Sequence, residues 1–412
     1  MSKILISFLG TGRSKDKRAY NTAKYKFGDD SPEESTFVAK VLAEKEHIDK
    51  FFLIGTPQSI WEEVYASFSG SENDEDIWSE IGDYCCRADR NTTMSIPYKE
   101  EIEAALGCGS KVVLVHYGLD EKEIKDNLEI VLGLVNDLNQ GDEIIIDITH
   151  SFRSLPLIIM NLLFYLRTVN NPKVRISHIY YGMLEVSREL GYAPIIDLKQ
   201  VLEVTDWTLG AYSFHEFGIS KQICGLTKDK SVSNALERFS SLLSLNYLGP
   251  LQQEAQRLSG LKNHEYDSLF ESMTVKPVVN DFIKTFGNEK EPYKFQYKLA
   301  RWQYEKFNYL ASMTTLLEAT ITYACVANNL DWQDYDSRNY CKEMLRTRND
   351  QDGSLKLDYD LCNIFNSINS KRNNLVHQNT QSRNQPCDVY VKAINDNLDK
   401  CKHSIKYDCQ FD

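Results

Sequence analysis

Positive charge is in short supply in this sequence. Across 412 residues, 47 Lys and Arg stand against 59 Asp and Glu, a net charge of −12. A chain so acidic has no general attraction for a nucleic-acid backbone, so any contact with RNA or DNA has to be local. No G-x-x-x-x-G-K-[ST] segment is present, which excludes a phosphate-binding P-loop. H-E-x-x-H and Cys/His pairs at zinc spacing are missing too, and the expectation is chemistry that uses neither a metal nor a cofactor. The ten cysteines include no C-x-x-C and only one adjacent pair, Cys85-Cys86, so they read as reduced thiols of a cytoplasmic protein. No run approaches 18 apolar residues, and the opening MSKILISFLGTG is a short β-like run, so neither a membrane span nor secretion is expected. What is present is ordinary globular material, 42% hydrophobic and 26% charged, long enough for two or three domains.

From Lys3 to about Val201, apolar β-branched runs alternate with amphipathic stretches. The runs are ILISFL (4–9), FFLIGT (51–56), VVLVHY (112–117), EIIIDIT (143–149) and VRISHIYYG (174–182). Between the third and fourth, Ile124, Leu128, Val131, Leu132 and Val135 share one helical face, and 157–169 is apolar almost all round. Strands this apolar are covered on both faces, which predicts an α/β, Rossmann-like, mostly parallel sheet. After Val201 the β-branched runs stop, and 236–248, 295–328 and 359–369 carry helical spacings. The segment 205–218 is aromatic and reads as a packed connector, while 287–294 and 348–358 read as loops.

In open parallel sheets a ligand sits beyond the carboxyl ends of the strands. Two such ends are polar here. The first run closes in Gly10, Thr11, Gly12 and Arg13, and the fourth in Asp147, Thr149, His150, Ser151, Phe152, Arg153 and Ser154. Lys15 stands where a dinucleotide fingerprint needs its third glycine, so NAD and FAD fall away. Small residues, hydroxyls and a guanidinium suit a polar, phosphate-bearing ligand. The same residues also suit plainer work: Ser151 or Ser154 capping a helix with Pro156 in its first turn, Arg153 as a surface charge, His150 as a packing side chain.

FLGTG, D-I-T-H-S-F-R-S-L-P and I-Y-Y-G, in that order over the first 200 residues, resemble the CARF domain of CRISPR-associated ribonucleases of type III systems. The family pattern is D-x-T-H-G-F-R, and Ser151 takes the glycine place. The resemblance implies recognition of a cyclic oligoadenylate, with cyclic tetra-adenylate the first expectation, across a two-fold dimer cleft. It implies contacts from Gly10, Thr11, Gly12, Arg13, Thr149, His150, Ser151, Phe152 and Arg153.

Near the C-terminus, SINSKRNNLVHQN (367–379) holds Arg372-Asn373-x-x-x-His377. Imidazole titrates near neutrality and guanidinium grips phosphate oxygens, which is what metal-free cleavage through the 2′-hydroxyl requires. R-x4-H arises by chance on the order of 0.3 times in a chain of this composition, so the spacing alone is weak. A second pair, Arg257 and His264, reads as accidental because Gly260 interrupts its helix. Behind a CARF domain, R-N-x-x-x-H resembles the HEPN ribonuclease motif, which implies Arg372, Asn373 and His377 as catalytic residues. Five positions along a helix leave Arg372 and His377 about 140° apart, an offset that a site built from two copies would relieve.

These readings assemble into a CARF sensor at 1–204, a helical connector at 205–290 and a helical HEPN domain at 291–412. The function they imply is a cyclic-oligoadenylate-activated endoribonuclease acting on single-stranded RNA, a homodimer or higher even-numbered oligomer, with neither DNA nor membrane as partner. Two alternatives stand beside it: a ligand-responsive regulator without nuclease activity, and a CARF site that itself degrades the cyclic messenger.

Overall fold

The computed structural model describes residues 1–12, 20–70, 74–150, 152–169, 171–349, 358–376 and 386–405. The chain divides into two compact units, Met1–Leu202 and Glu203–Asp412.

In the first unit eight strands make one sheet: β1 (Lys3–Leu9), β2 (Ala23–Phe27), β3 (Glu33–Ser35), β4 (Lys50–Gly55), β5 (Lys111–Leu114), β6 (Glu143–Asp147), β7 (Arg175–Gly182) and β8 (Ala193–Asp197). Their order is β3-β2-β8-β7-β6-β1-β4-β5. Pairing is parallel throughout except for β7 with β8 and β2 with β3. Alternate residues of β1 feed opposite cores. Leu5 and Leu9 join Phe51, Leu53 and Trp61 on one face, while Ile4, Ile6 and Phe8 join Phe52, Ile144 and Leu162 on the other. Helices α1 (Val38–Glu46), α2 (Trp61–Phe68), α3 (Glu75–Arg87) and α4 (Lys99–Leu106) supply residues to the first core, and α5 (Glu121–Gly133) and α6 (Leu155–Val169) to the second. With apolar cover on both faces, the central strands are the continuous apolar runs seen in the sequence. The sheet also includes β2, β3 and β8, which those runs do not announce. β2 is the segment AKYKF, whose two lysines alternate with Tyr25 and Phe27.

The short α7 (Ser187–Leu190) precedes β8, and beyond β8 the described elements are helical: α8 (Val201–Phe217), α9 (Lys221–Leu226), α10 (Lys230–Ser244), α11 (Leu248–Arg257), α12 (Leu269–Phe282), α13 (Pro292–Glu305), α14 (Tyr309–Ala327), α15 (Tyr335–Thr347), α16 (Tyr359–Val376) and α17 (Cys387–Ser404). The segment read as a packed connector lies within the single helix α8. Gly210 inside it abuts α9, where an added Cβ would come within 3.1 Å of Ile223. The stretch 295–328, read as helical, spans most of α13 and all of α14, parted where Phe307 takes φ of 60°. Two cores form in this unit. One gathers Phe214, Phe239, Phe282 and Phe286; the other gathers Leu316, Phe365, Ile394 and Leu398 from α14, α16 and α17. Helix α14 is long and apolar enough to cross a membrane by length and composition, yet 61% of it is buried among its neighbours, as befits a core helix.

Candidate functional site

The switch point of the sheet lies between β1 and β6. β4 and β5 extend the sheet on one side of β1, and β6 and β7 then extend it on the other. The two polar strand ends meet there: a Cβ added at Gly10 would sit 3.5 Å from the Cβ of His150. Gly12 has φ of 52°, and its carbonyl accepts from the Asn21 N–H at 2.7 Å. A side chain at Gly12 would be strained by that φ and would press on Ile60 at 3.0 Å, so glycine is needed at this turn.

Beneath the loop lies a buried carboxylate. Asp147 and Ser7 are register partners across β6 and β1, and the Ser7 hydroxyl donates to Asp147 Oδ2 at 2.5 Å. Asp147 Oδ1 accepts from the Thr149 N–H at 3.0 Å and the Thr149 hydroxyl at 2.5 Å. Thr149 Oγ1 in turn accepts from the Gly182 N–H at 2.8 Å, tying the end of β6 to the end of β7. The Thr149 hydroxyl therefore helps hold the loop in shape. Three donors thus satisfy a carboxylate that has no solvent exposure.

His150 follows Thr149 directly and meets a partner from β2. Its Nε2 lies 3.2 Å from Tyr25 Oη, and the two rings meet edge to face. Burial pushes the imidazole below its ordinary value, and the opposing pull of Asp147 is too weak to reverse this. Burial, with the Asp147 charge behind it, also raises the Tyr25 phenol far above its ordinary value. At neutral pH the pair is thus an uncharged imidazole and an uncharged phenol. Tyr25 is 125 residues away in sequence on β2, and nothing near the motif announces it.

Phe152 and Arg153, by contrast, are exposed at the entry to α6. The Phe152 ring lies 5.6 Å from that of Tyr117, whose hydroxyl donates to Gln58 at 2.9 Å. Ser154 holds the position before α6, with Pro156 in the first turn. The surface at the switch point therefore offers backbone groups at Gly10, Thr11 and Gly12, two aromatic rings and one guanidinium above a neutral imidazole. Arg13 and Ser151 lie outside the described residues.

In the helical unit Arg372 and Asn373 occupy the last turn of α16, and His377 lies outside the described residues. One Arg372 terminal nitrogen donates to Asn373 Oδ1 at 2.9 Å. Its Nε is buried without a hydrogen-bond partner among the described residues, which leaves an N–H of the guanidinium unsatisfied. Arg257 and His264 do not meet: Arg257 pairs with Glu254 at 3.2 Å and His264 with Asp229 at 2.8 Å. Among the described residues no group of three or more His, Cys, Asp or Glu side chains is placed to hold a metal ion.

A switch-point sheet with a glycine turn and a polar loop on adjoining strand ends defines a Rossmann-like ligand-binding domain. Residues 4–185 match the model of the CARF domain of the CRISPR system endoribonuclease Csx1, and residues 203–292 match that of the second domain of the CRISPR-associated protein MJ1674. The CRISPR-associated protein MJ1674 of Methanocaldococcus jannaschii is 35% identical over 350 residues, covering 80% of this chain and 55% of the relative. The chain thus spans about half the length of the curated relative it matches. Among solved structures, Enterococcus italicus Csm6 bound to cyclic hexa-2′-fluoro-hexa-dAMP aligns over 98% of this chain and 94% of its own, at 10% identity and a TM-score of 0.39, a likeness too low to bear on function. Residues 4–185 are thus an N-terminal CARF domain, in a chain that is similar to CRISPR-associated proteins.

Proposed function

We propose that this protein is an endoribonuclease of CRISPR antiviral defence that cuts single-stranded RNA when a cyclic oligoadenylate occupies its CARF domain. The observation that carries the reading is the match of residues 4–185 to a CARF domain named for an endoribonuclease, folded so that the Gly10–Gly12 turn and the His150–Arg153 loop share one switch point. Backbone N–H groups and Arg153 suit the phosphates of such a messenger, and Phe152 and Tyr117 suit its bases.

The cleaving centre in this reading is the HEPN-like motif of the helical unit. His377 moves the proton of the 2′-hydroxyl or of the leaving 5′-oxygen, and Arg372 binds the phosphorane oxygens through its guanidinium. The 2′-hydroxyl is the nucleophile, so no metal is required, and a 2′,3′-cyclic phosphate is left behind. The 140° offset between Arg372 and His377 favours a composite site about a two-fold axis. The CARF unit has a surface suited to such pairing. Along α6, Leu157 and Phe164 lie on one face and are 69% and 47% exposed, large values for apolar side chains beside a ligand site.

The test is cleavage of a single-stranded RNA by the purified protein with and without cyclic tetra- and hexa-adenylate, in EDTA. The expected result is cutting that depends on one of the two rings. Binding of a ring with no cutting under any condition would replace this reading with the regulator lacking nuclease activity. Shortening of the ring itself would add messenger degradation to the CARF site.

A further inference from the structure

A groove of 1060 Å³ opens in the helical unit, away from Arg372 in sequence and lined from α8, the end of α12, α13 and α17. One stripe of α13 forms its floor: Lys298, Arg301, Trp302 and Glu305 fall at the i, i+3, i+4 and i+7 positions of a helix. Five lining residues are Lys or Arg, against three carboxylates, Asp281, Glu305 and Asp399, so cations predominate on the groove's lining.

The cations are arranged differently from one another. Lys284 is exposed and has no carboxylate partner among the described residues. Arg301 is held in place, donating to Asn395 at 3.2 Å and forming an ion pair with Asp399. Lys306 reaches Glu216 at 2.8 Å and Lys298 reaches Glu289 at 3.2 Å, so these two are tied at their ends but still line the wall. Trp302 is half-buried, its ring 5.7 Å from Phe282 and 6.1 Å from Phe286, which fixes its plane and leaves the rest of the indole toward the groove. Cations along a channel with a fixed aromatic plate are what a single-stranded nucleic acid needs, phosphates on the one and a stacked base on the other.

The groove is also within reach of the motif arginine. Asn397 of α17 donates to Ser367 of α16 at 3.1 Å, fixing the two helices side by side. Arg372 is five residues from Ser367 and Lys402 five from Asn397, so at a rise of about 1.5 Å per residue the two lie within about 15 Å along the helix axes. We propose that this groove binds single-stranded RNA and leads it toward Arg372. The inference rests on the nuclease reading for its purpose, though not for its chemistry.

The experiment uses the full chain and a fluorescein-labelled, fully 2′-O-methylated oligouridine, which binds without being cut. Anisotropy titrations at several salt concentrations are run on the parent, on Lys284→Glu and on Lys284→Glu with Lys402→Glu. The expected outcome is about tenfold weaker binding for the single variant, more for the double, and a shallower salt dependence by roughly 0.7 in log–log slope for each phosphate contact removed. Lys284 is exposed and its replacement leaves the fold intact, so unchanged affinity in both variants would overturn the proposal, as would a parent that does not bind the oligonucleotide. Equal competition by polyglutamate would overturn it too, because the groove would then be a site for acidic peptides. Cleavage of unmodified RNA by the parent is scored separately. A parent that cuts while the variants bind normally removes the groove and keeps the nuclease, and groove-dependent binding without cutting does the reverse.

Discussion

The two units hold their candidate residues by different means. In the CARF unit, register does the work: Ser7 and Asp147 face each other because β1 and β6 pair in parallel, and the network through Thr149 and Gly182 then fixes the loop that bears His150 and Arg153. In the helical unit, Arg372 sits in the last turn of α16, and the one bond its guanidinium makes among the described residues is to its chain neighbour Asn373. A sheet can therefore preorganise a site within one chain, whereas a helix end presents a group that a second element must complete. If that contrast is right, damage to the first site should spread through the fold, and damage to the second should stay with the chemistry.

The largest effect is expected from His377→Ala. Loss of a proton-transfer group should cost on the order of 10²–10⁴ in the rate of RNA cleavage, while calorimetry with cyclic oligoadenylate shows affinity nearly unchanged. A variant that cuts at the parental rate would end the assignment. Next comes Arg153→Ala, exposed and outside the Asp147 network. One charge-assisted hydrogen bond lost is worth about 1.5–3 kcal/mol, or roughly 10- to 150-fold in messenger affinity, with no change in the denaturation midpoint.

Thr149→Val should behave in the opposite way. It keeps the shape but orphans the Gly182 N–H and removes one donor from Asp147, so the stability of the CARF unit should fall by about 1–3 kcal/mol in urea titrations. Thr149→Ser, which retains the hydroxyl, should recover most of that. Equal stability of the Val and Ser variants would mean that the network is not what holds the loop.

Much of this contrast is legible in the sequence, and the part that is not has a physical reason. β1, β4, β5, β6 and β7 announce themselves because strands covered on both faces carry apolar runs, as in the three isoleucines at the centre of EIIID. β2 pairs at the far side of the sheet, where Lys24 can face outward, so its alternation is brief and easily passed over. With it goes Tyr25, which reaches His150 only through the tertiary fold. The polar role of Thr149 was open in the sequence for a similar reason: a threonine beside a ligand loop has the composition of a ligand contact whether its hydroxyl faces outward or, as here, down to a buried carboxylate. The break of 295–328 into two helices turns on the positive φ of Phe307, a residue type that gives no warning of that conformation.

The smallest effect expected is one of pH, and it too separates the units. His150 has its value lowered first by burial, with Asp147 acting against the shift and the neutral Tyr25 phenol at hydrogen-bond distance. A folded-state value below the unfolded one means that the unfolded chain binds the extra proton more readily. Stability from this group is therefore complete above the unfolded value of about 6.5 and is lost as pH falls from there toward the folded value, with a slope that cannot exceed about 1.4 kcal/mol per pH unit. In the helical unit a carboxylate shows the acid-range counterpart. Asp229 is held below its usual range, first by the backbone N–H of Ser231, so its contribution is lost only as pH falls through the acid range below about 4. Between pH 7.5 and 5.5 the CARF unit should soften through His150. Hydrogen exchange read at both pH values should show faster opening of β1 and β6 at the lower one after correction for intrinsic rates. His150→Gln should abolish the difference, and if the slope persists in that variant, the titrating group is not His150.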